Sequence, residues 1–161
     1  MNKVSNLPEA EKFLVDFMLG RLGRWLVLLG EDAKYYRSPD EGGIIYRSLK
    51  EKRIILTRNR KLSRRKALDI YLVKSEEFKE QLAEVINKFD ITKDNKKIFS
   101  RCIECNQKLQ TIQKEKVKKK VPAYVYETVE VFSVCDTCQK IYWKGTHSDL
   151  IKRVLTQIKK G

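Results

Sequence analysis

The chain has 161 residues, the size of one ordinary domain or a small domain with an appendage, and 42% of them are hydrophobic, enough to bury a core and to argue against a fully disordered chain. Its longest apolar run, Trp25–Leu29, falls far short of the ~18 residues a membrane span needs, and its start, Met1–Asn6, has no apolar signal core, so a cytoplasmic protein is expected. The net charge of +14 is divided evenly, +7 on residues 1–100 and +7 on 101–161, and a field of that sign draws polyanions, nucleic acid foremost, unless the protein is merely basic throughout.

Phe13–Val15 is a short apolar run closed by Asp16. Leu19, Leu22, Leu26 and Leu29 recur at helical spacing, and Gly30 ends that helix. Ala33–Tyr36 reads as a second strand. Ser38-Pro39-Asp40 signals a helix start with Ile45 and Leu49 on one face, although Gly42 and Gly43 weaken it. Arg53–Thr57 is the clearest strand and Ile70–Val73 a fourth. Ser75, followed by Glu76 and Glu77, is expected to cap a helix carrying Phe78, Leu82, Val85, Ile86 and Phe89. Strands alternating with helices predict an α/β fold, a parallel sheet with helices on both faces.

The four cysteines lie in the carboxyl-terminal part, as Cys102-Ile-Glu-Cys105 and Cys135-Asp-Thr-Cys138. Each pair can form a knuckle that aims both sulfurs at one point, and two knuckles make a closed tetrahedral site for structural zinc. Two disulfides are disfavoured in a cytosolic chain, and a redox pair needs only one such motif. Asn106 and Gln139 follow the knuckles, where a left-handed turn is often required; Asn suits it better than Gln. Lys114, Lys116, Lys118, Lys119 and Lys120 form a basic run expected at a hairpin tip, either a phosphate-binding finger or a solvated loop. Val121–Tyr126 and Val129–Val134 read as strands. Ile151, Val154, Leu155 and Ile158 make a last amphipathic helix, packed on the ribbon or back on the first part.

Ligands of such a sheet bind beyond the carboxyl ends of its strands. Asp16, Asp40 and Asn59 follow the first three strands there, and Glu76 and Glu77 follow the fourth; Asp69 precedes the fourth and belongs to the opposite edge. Acids brought together from separate strands make an oxygen-lined site for Mg²⁺ or Mn²⁺, which can activate water against a phosphodiester. Asp40 and Glu76 also read simply as helix-start residues.

Phe13-Leu14-Val15-Asp16-Phe17-Met18-Leu19-Gly20-Arg21-Leu22-Gly23-Arg24-Trp25-Leu26, the Leu29-Gly30 helix end, Ile55-Leu56-Thr57-Arg58, Ser100-Arg101-Cys102-Ile103-Glu104-Cys105-Asn106 and Tyr142-Trp143-Lys144-Gly145-Thr146-His147 follow in order. Together they resemble the PIN-like RNase domain at the carboxyl end of the Mut-seven exonucleases, a family that also occurs as a free-standing prokaryotic protein with a zinc ribbon. The resemblance runs over residues 12 to 155. It implies a PIN-like nuclease domain over 1–97, a zinc ribbon with a carboxyl-terminal helix over 98–161, and metal-dependent RNA cleavage with Asp16 as the first-strand acid. The family pattern after the third strand is Thr-Arg-Asp, where this chain reads Thr57-Arg58-Asn59. An amide offers an oxygen but no charge, so the site is expected to be weakened unless another acid substitutes. The family also tends to carry Arg where this chain has Val27.

The expected catalytic set is therefore Asp16, Asp40, Asn59 and Glu77, with Cys102, Cys105, Cys135 and Cys138 for zinc. Arg21, Arg24, Arg58 and Arg60 are expected near the acidic edge, to clamp phosphate or to compensate the acids, and with Lys118, Lys119 and Lys120 they make up the expected RNA-binding set. Trp25 and Trp143 fit core packing or stacking on bases. His147, the single histidine, fits a structural place beside the ribbon or an acid–base role. The leading expectation is a ribonuclease. Its rivals are a non-catalytic RNA-binding adaptor for ribosome or tRNA and a DNA-directed nuclease.

Overall fold

The computed structural model describes residues 11–91, 96–145 and 147–159, so the Met1–Asn6 start and Thr146 lie outside the described residues, as does the His147 side chain. Four short strands, β1 (Lys12–Val15), β2 (Asp32–Tyr35), β3 (Ile54–Thr57) and β4 (Ile70–Leu72), form a parallel sheet in the order β2-β1-β3-β4. β1 is central, and alternation along it decides which layer each residue meets. Phe13 and Val15 face one core with Leu56, whereas Leu14 faces the other with Ile55.

Helix α1 (Gly20–Leu28) supplies Leu22, Trp25 and Leu26 to the larger core, and α4 (Phe78–Lys88) supplies Leu82, Val85 and Ile86. On the opposite face, α2 (Glu41–Glu51) contributes Ile44 and α3 (Arg60–Ser63) contributes Leu62. Helices thus cover both faces, as the alternation predicts. The connection from β1 leads through α1 to β2 on one side, and the next strand, β3, lies on the other side of β1. The β1/β3 boundary is therefore the topological switch point, where an open α/β sheet has its crevice.

Asp40 caps α2 as expected, accepting from the N–H groups of Gly42 and Gly43 at 3.1 and 2.8 Å. Gly43 is required by close approach: a Cβ there would collide with the Tyr36 hydroxyl and the Asp40 carboxylate. The Ser75 cap is overturned. Glu77 occupies the cap position of α4 without a side-chain bond. The turn before it is closed from within the helix instead, where the Gln81 amide donates to the Ser75 and Glu76 carbonyls and the Glu84 carboxylate accepts from the Ser75 N–H.

Strands β5 (Gln110–Ile112), β6 (Phe132–Val134) and β7 (Ile141–Trp143) form a small antiparallel sheet. The β5–β6 connection is not a plain hairpin tip. It folds into a 3-10 turn at Lys114–Val117 and helix α5 (Ala123–Thr128). Val121–Tyr126, expected as a strand, is thus largely helical, and of Val129–Val134 only Phe132–Val134 pairs. Strand propensity lost to packing here. Pro122 suits a helix start, and burying Val125 against Val117 and Phe132 closes a separate small core while Tyr124 stays in solvent. The last helix, α6 (His147–Lys159), takes the second of its two expected places, back on the first part: Ile151 and Leu155 join the core of α1 and α4.

Candidate functional site

Asp16 leaves β1 at the switch point, and its backbone N–H donates to the Leu56 carbonyl of neighbouring β3. The residue is 5% exposed. One carboxylate oxygen accepts from the Phe17 N–H at 2.7 Å, and the other accepts from the buried Thr57 hydroxyl. Thr57 in turn accepts from the Asn59 N–H at 2.9 Å. The turn after β1 and the end of β3 therefore each supply one donor to this carboxylate.

The row continues through Asn59. Its side-chain oxygen caps α3, accepting from the N–H groups of Lys61 and Leu62, and its amide donates to Glu41 Oε1 at 3.0 Å. The other Glu41 oxygen lies 3.7 Å from the Arg65 guanidinium. The edge thus runs Asp16, Thr57, Asn59, Glu41, with Asp40 next to Glu41 in sequence at the start of α2. Sequence reasoning passed over Glu41 and gave Thr57 no role. The signal for Glu41 was its place directly after Asp40 at a helix start beyond a strand end. Glu77 and Glu76 stand exposed ahead of α4, and Glu76 pairs with Arg58 at 2.8 Å.

As a donor set, these carboxylates suit a hard divalent cation. The Asn59 oxygen is already committed to two backbone donors, so the residue beside it with charge to offer is Glu41. Among the described residues, however, the carboxylates stand in a row rather than around one point.

The basic residues divide. The Arg21 guanidinium lies over the Phe78 ring at 4.1 Å. Arg58 is taken by Glu76, whereas Arg60 at the start of α3 is exposed. Arg24 projects from the exposed side of α1. Lys118, Lys119 and Lys120 are exposed, and Lys114 pairs with Glu130 at 3.0 Å. Trp25 is buried against Phe78, but Trp143 is 37% exposed.

The two cysteine pairs converge as their spacing predicts. Their four sulfurs lie within 4.8 Å of one another, so they could hold a metal ion such as zinc, and none is in a disulfide. Each knuckle closes in the same way: the Asn106 N–H returns to the Cys102 carbonyl and the Gln139 N–H to the Cys135 carbonyl, both at 2.8 Å. Both Asn106 and Gln139 are left-handed, with φ of 59° and 60°. Glu104 of one knuckle pairs with Lys140 beyond the other at 3.1 Å. Burial opposes charge on Cys102, but bonds from the Tyr142 hydroxyl and nearby backbone N–H groups prevail and bring its thiol down to about 7. Sharing a bond with Cys138, together with desolvation, pushes Cys105 up to about 12. A bound cation would favour the deprotonated form of the sulfurs that hold it.

The first knuckle is also bolted to the sheet. The Asn106 amide donates to Asp32 Oδ1 at 2.6 Å, and its oxygen accepts from the Ala33 N–H at 3.2 Å. The same Asp32 carboxylate pairs at 2.7 Å with Arg53, which is itself buried and also donates to the Phe13 carbonyl.

The chain matches no curated protein and no solved structure. The sequence pattern of the Mut7-C RNAse domain matches residues 11–155, a span that takes in the β1/β3 crevice, both knuckles and most of α6. That match covers most of the chain, and the protein belongs to the Mut7-C RNAse domain family.

Proposed function

We propose that the protein is a ribonuclease of PIN-like type that cleaves RNA with Mg²⁺ or Mn²⁺ at the carboxyl edge of the parallel sheet. The observation that carries this reading is the buried Asp16 carboxylate at the switch point, aimed by the Phe17 N–H and the Thr57 hydroxyl. Asp16 and Glu41 would hold the divalent ion, with Asp40 beside them, and Asn59 would orient Glu41 through its amide. The ion supplies activation of water and neutralisation of phosphate charge. Residues 1–97 would carry this chemistry. Residues 98–161 would grip the substrate around one structural Zn²⁺ on the four cysteines. Four metal-binding thiols suit a reducing compartment, which supports a cytoplasmic site of action.

The test is labelled RNA and DNA incubated with Mg²⁺, Mn²⁺ or neither, using the parent and Asp16→Asn. Metal-dependent RNA cleavage that Asp16→Asn abolishes, with RNA binding retained, is the expected result. Equal cleavage by the variant would place the site elsewhere. The second reading, a non-catalytic RNA-binding adaptor, is favoured by one observation: the Asn59 oxygen is used up as a helix cap, leaving the edge one carboxylate short.

A further inference from the structure

An apolar cleft of about 670 Å³ opens between α1, the small sheet and α6, far larger than packing defects inside a core. Trp25, Phe99, Tyr142 and Trp143 put aromatic surface into it, and Arg24 and Lys144 add positive charge, while the acid on its wall, Glu130, is paired with Lys114. A second, polar groove of about 440 Å³ runs along the other side of α1, past Gly20, Gly23, Arg24 and Val27. Its far wall carries Arg37, Arg47, which also pairs with Glu51 at 3.3 Å, and the knuckle residues Ile103–Asn106, whose one acid, Glu104, pairs with Lys140. Arg24 and Ile103 line both spaces, so the groove and the cleft adjoin at that pair.

The groove begins beside the candidate active site. Gly20 opens α1 four residues after Asp16, and Tyr35, which lines the groove there, donates its hydroxyl to the Phe17 carbonyl. From Gly20 to Leu28 the helix rises about 12 Å. One path therefore leads from the acidic edge, along the arginine groove, to the aromatic cleft at the zinc knuckle.

We infer that this path binds single-stranded RNA, with phosphates on Arg24, Arg37 and Arg47 and a nucleobase inserted in the cleft against Trp143. The charge pattern selects the occupant. A basic groove that opens onto an aromatic cavity matches a strand whose phosphates and bases alternate, whereas a plain apolar ligand or protein helix has no use for the groove. A duplex keeps its bases stacked inside and cannot enter the cleft. Trp143 fits the role because the residue is 37% exposed at the end of β7 while its ring is steadied by Phe132, with centroids 6.3 Å apart. The inference rests on the RNA-directed reading above but not on cleavage.

The test uses the full zinc-loaded chain without added Mg²⁺ or Mn²⁺, titrated with oligouridylate, with the same backbone lacking bases, and with duplex RNA. Tryptophan quenching and affinity are read across a salt series. Oligouridylate is expected to quench and to bind far better than the abasic strand or the duplex. Trp143→Ala should weaken oligouridylate roughly 5- to 150-fold, the range of one stacked base, with Trp143→Phe recovering part of it. Arg24→Ala with Arg37→Ala should lower the slope of log affinity against log salt by about 1.4, a change Trp143→Ala should not produce. Val131→Glu, at an exposed position on the cleft rim, does not threaten the fold and should weaken binding by adding negative charge. Equal binding of abasic and normal strands, or no effect from Trp143→Ala and Val131→Glu, would overturn the inference. So would a dimer that Val131→Glu splits, because the cleft would then be covered by a second copy. Trp143-dependent binding, followed by no cleavage of the bound strand once Mg²⁺ or Mn²⁺ is added, would sink the ribonuclease reading and leave this one standing.

Discussion

Replacing Asn59 by Asp is the sharpest probe of the sheet edge. Asp caps a helix about as well as Asn, so the bonds to the Lys61 and Leu62 N–H groups survive and the charge alone changes. The amide that donates to Glu41 at 3.0 Å becomes a carboxylate oxygen facing another. Two unit charges about 4 Å apart repel by about 1 kcal/mol in water and about 4 kcal/mol at the effective dielectric of a protein surface. The pair is partly open to water and Arg65 stands 3.7 Å from the far Glu41 oxygen, which places the cost near the lower end, about 1–2 kcal/mol. For a chain of this size that is a fall in Tm of roughly 2–8 °C in buffer freed of Mg²⁺ and Mn²⁺ but with zinc retained. The same two carboxylates make a better cation site. With a dissociation constant of about 1 mM, typical of weak oxygen-ligand sites, about 10 mM Mn²⁺ would return about 1.4 kcal/mol. The assay is a thermal melt of parent and variant with and without Mn²⁺, followed by RNA cleavage under both conditions. The variant should melt lower without metal, recover with it, and cleave faster than the parent. A variant as stable as the parent without metal would refute the Asn59–Glu41 contact. A variant that melts lower but ignores Mn²⁺ and stays inert would refute the cation site and favour the adaptor reading.

Metal analysis of protein purified without added zinc should find one Zn²⁺ per chain; a value near zero with the cysteines oxidised would remove the ribbon's metal. Lys118, Lys119 and Lys120 changed together to Ala should reduce the salt slope of RNA affinity by about 2 if all three meet phosphates, and an unchanged slope would show the run to be a solvated loop. Burial raises the Asp32 carboxyl, but the hydrogen bonds from Arg53 and Asn106 outweigh it and hold it below the ordinary value. Its contribution to stability is therefore complete above about pH 4 and is lost as the pH falls through the folded value. Asp32→Asn should cost about 1–3 kcal/mol at neutral pH, and the gap from the parent should close in acid; a gap that is constant with pH would refute the charge-based account.

The local patterns that dictated structure were those whose physics is local. Phe13–Val15 and Ile54–Leu56 are short, apolar and bounded by polar residues, which suits buried strands of a sheet, and the leucine spacing of α1 admits a single buried face. The two C-x2-C pairs each make a knuckle on their own, and Asn106 and Gln139 show the left-handed turns that motif needs. Strand order, and with it the meeting of Asp16 and Thr57, depended on which strands pair across the sheet, which no single segment records. Helix α5 went against its own β-branched and aromatic residues because burying Val125 with Val117 and Phe132 was worth more than strand propensity. Glu41 carried no sequence signal beyond its place after Asp40, and only the meeting of α2 and α3 placed it on the Asn59 amide. Asn106 looked like a turn residue until β2 came within reach of it. Side chains that act within a few residues of themselves are written in the sequence, whereas those that act across 18 or 74 positions are assigned only when long-range packing brings their partners to them.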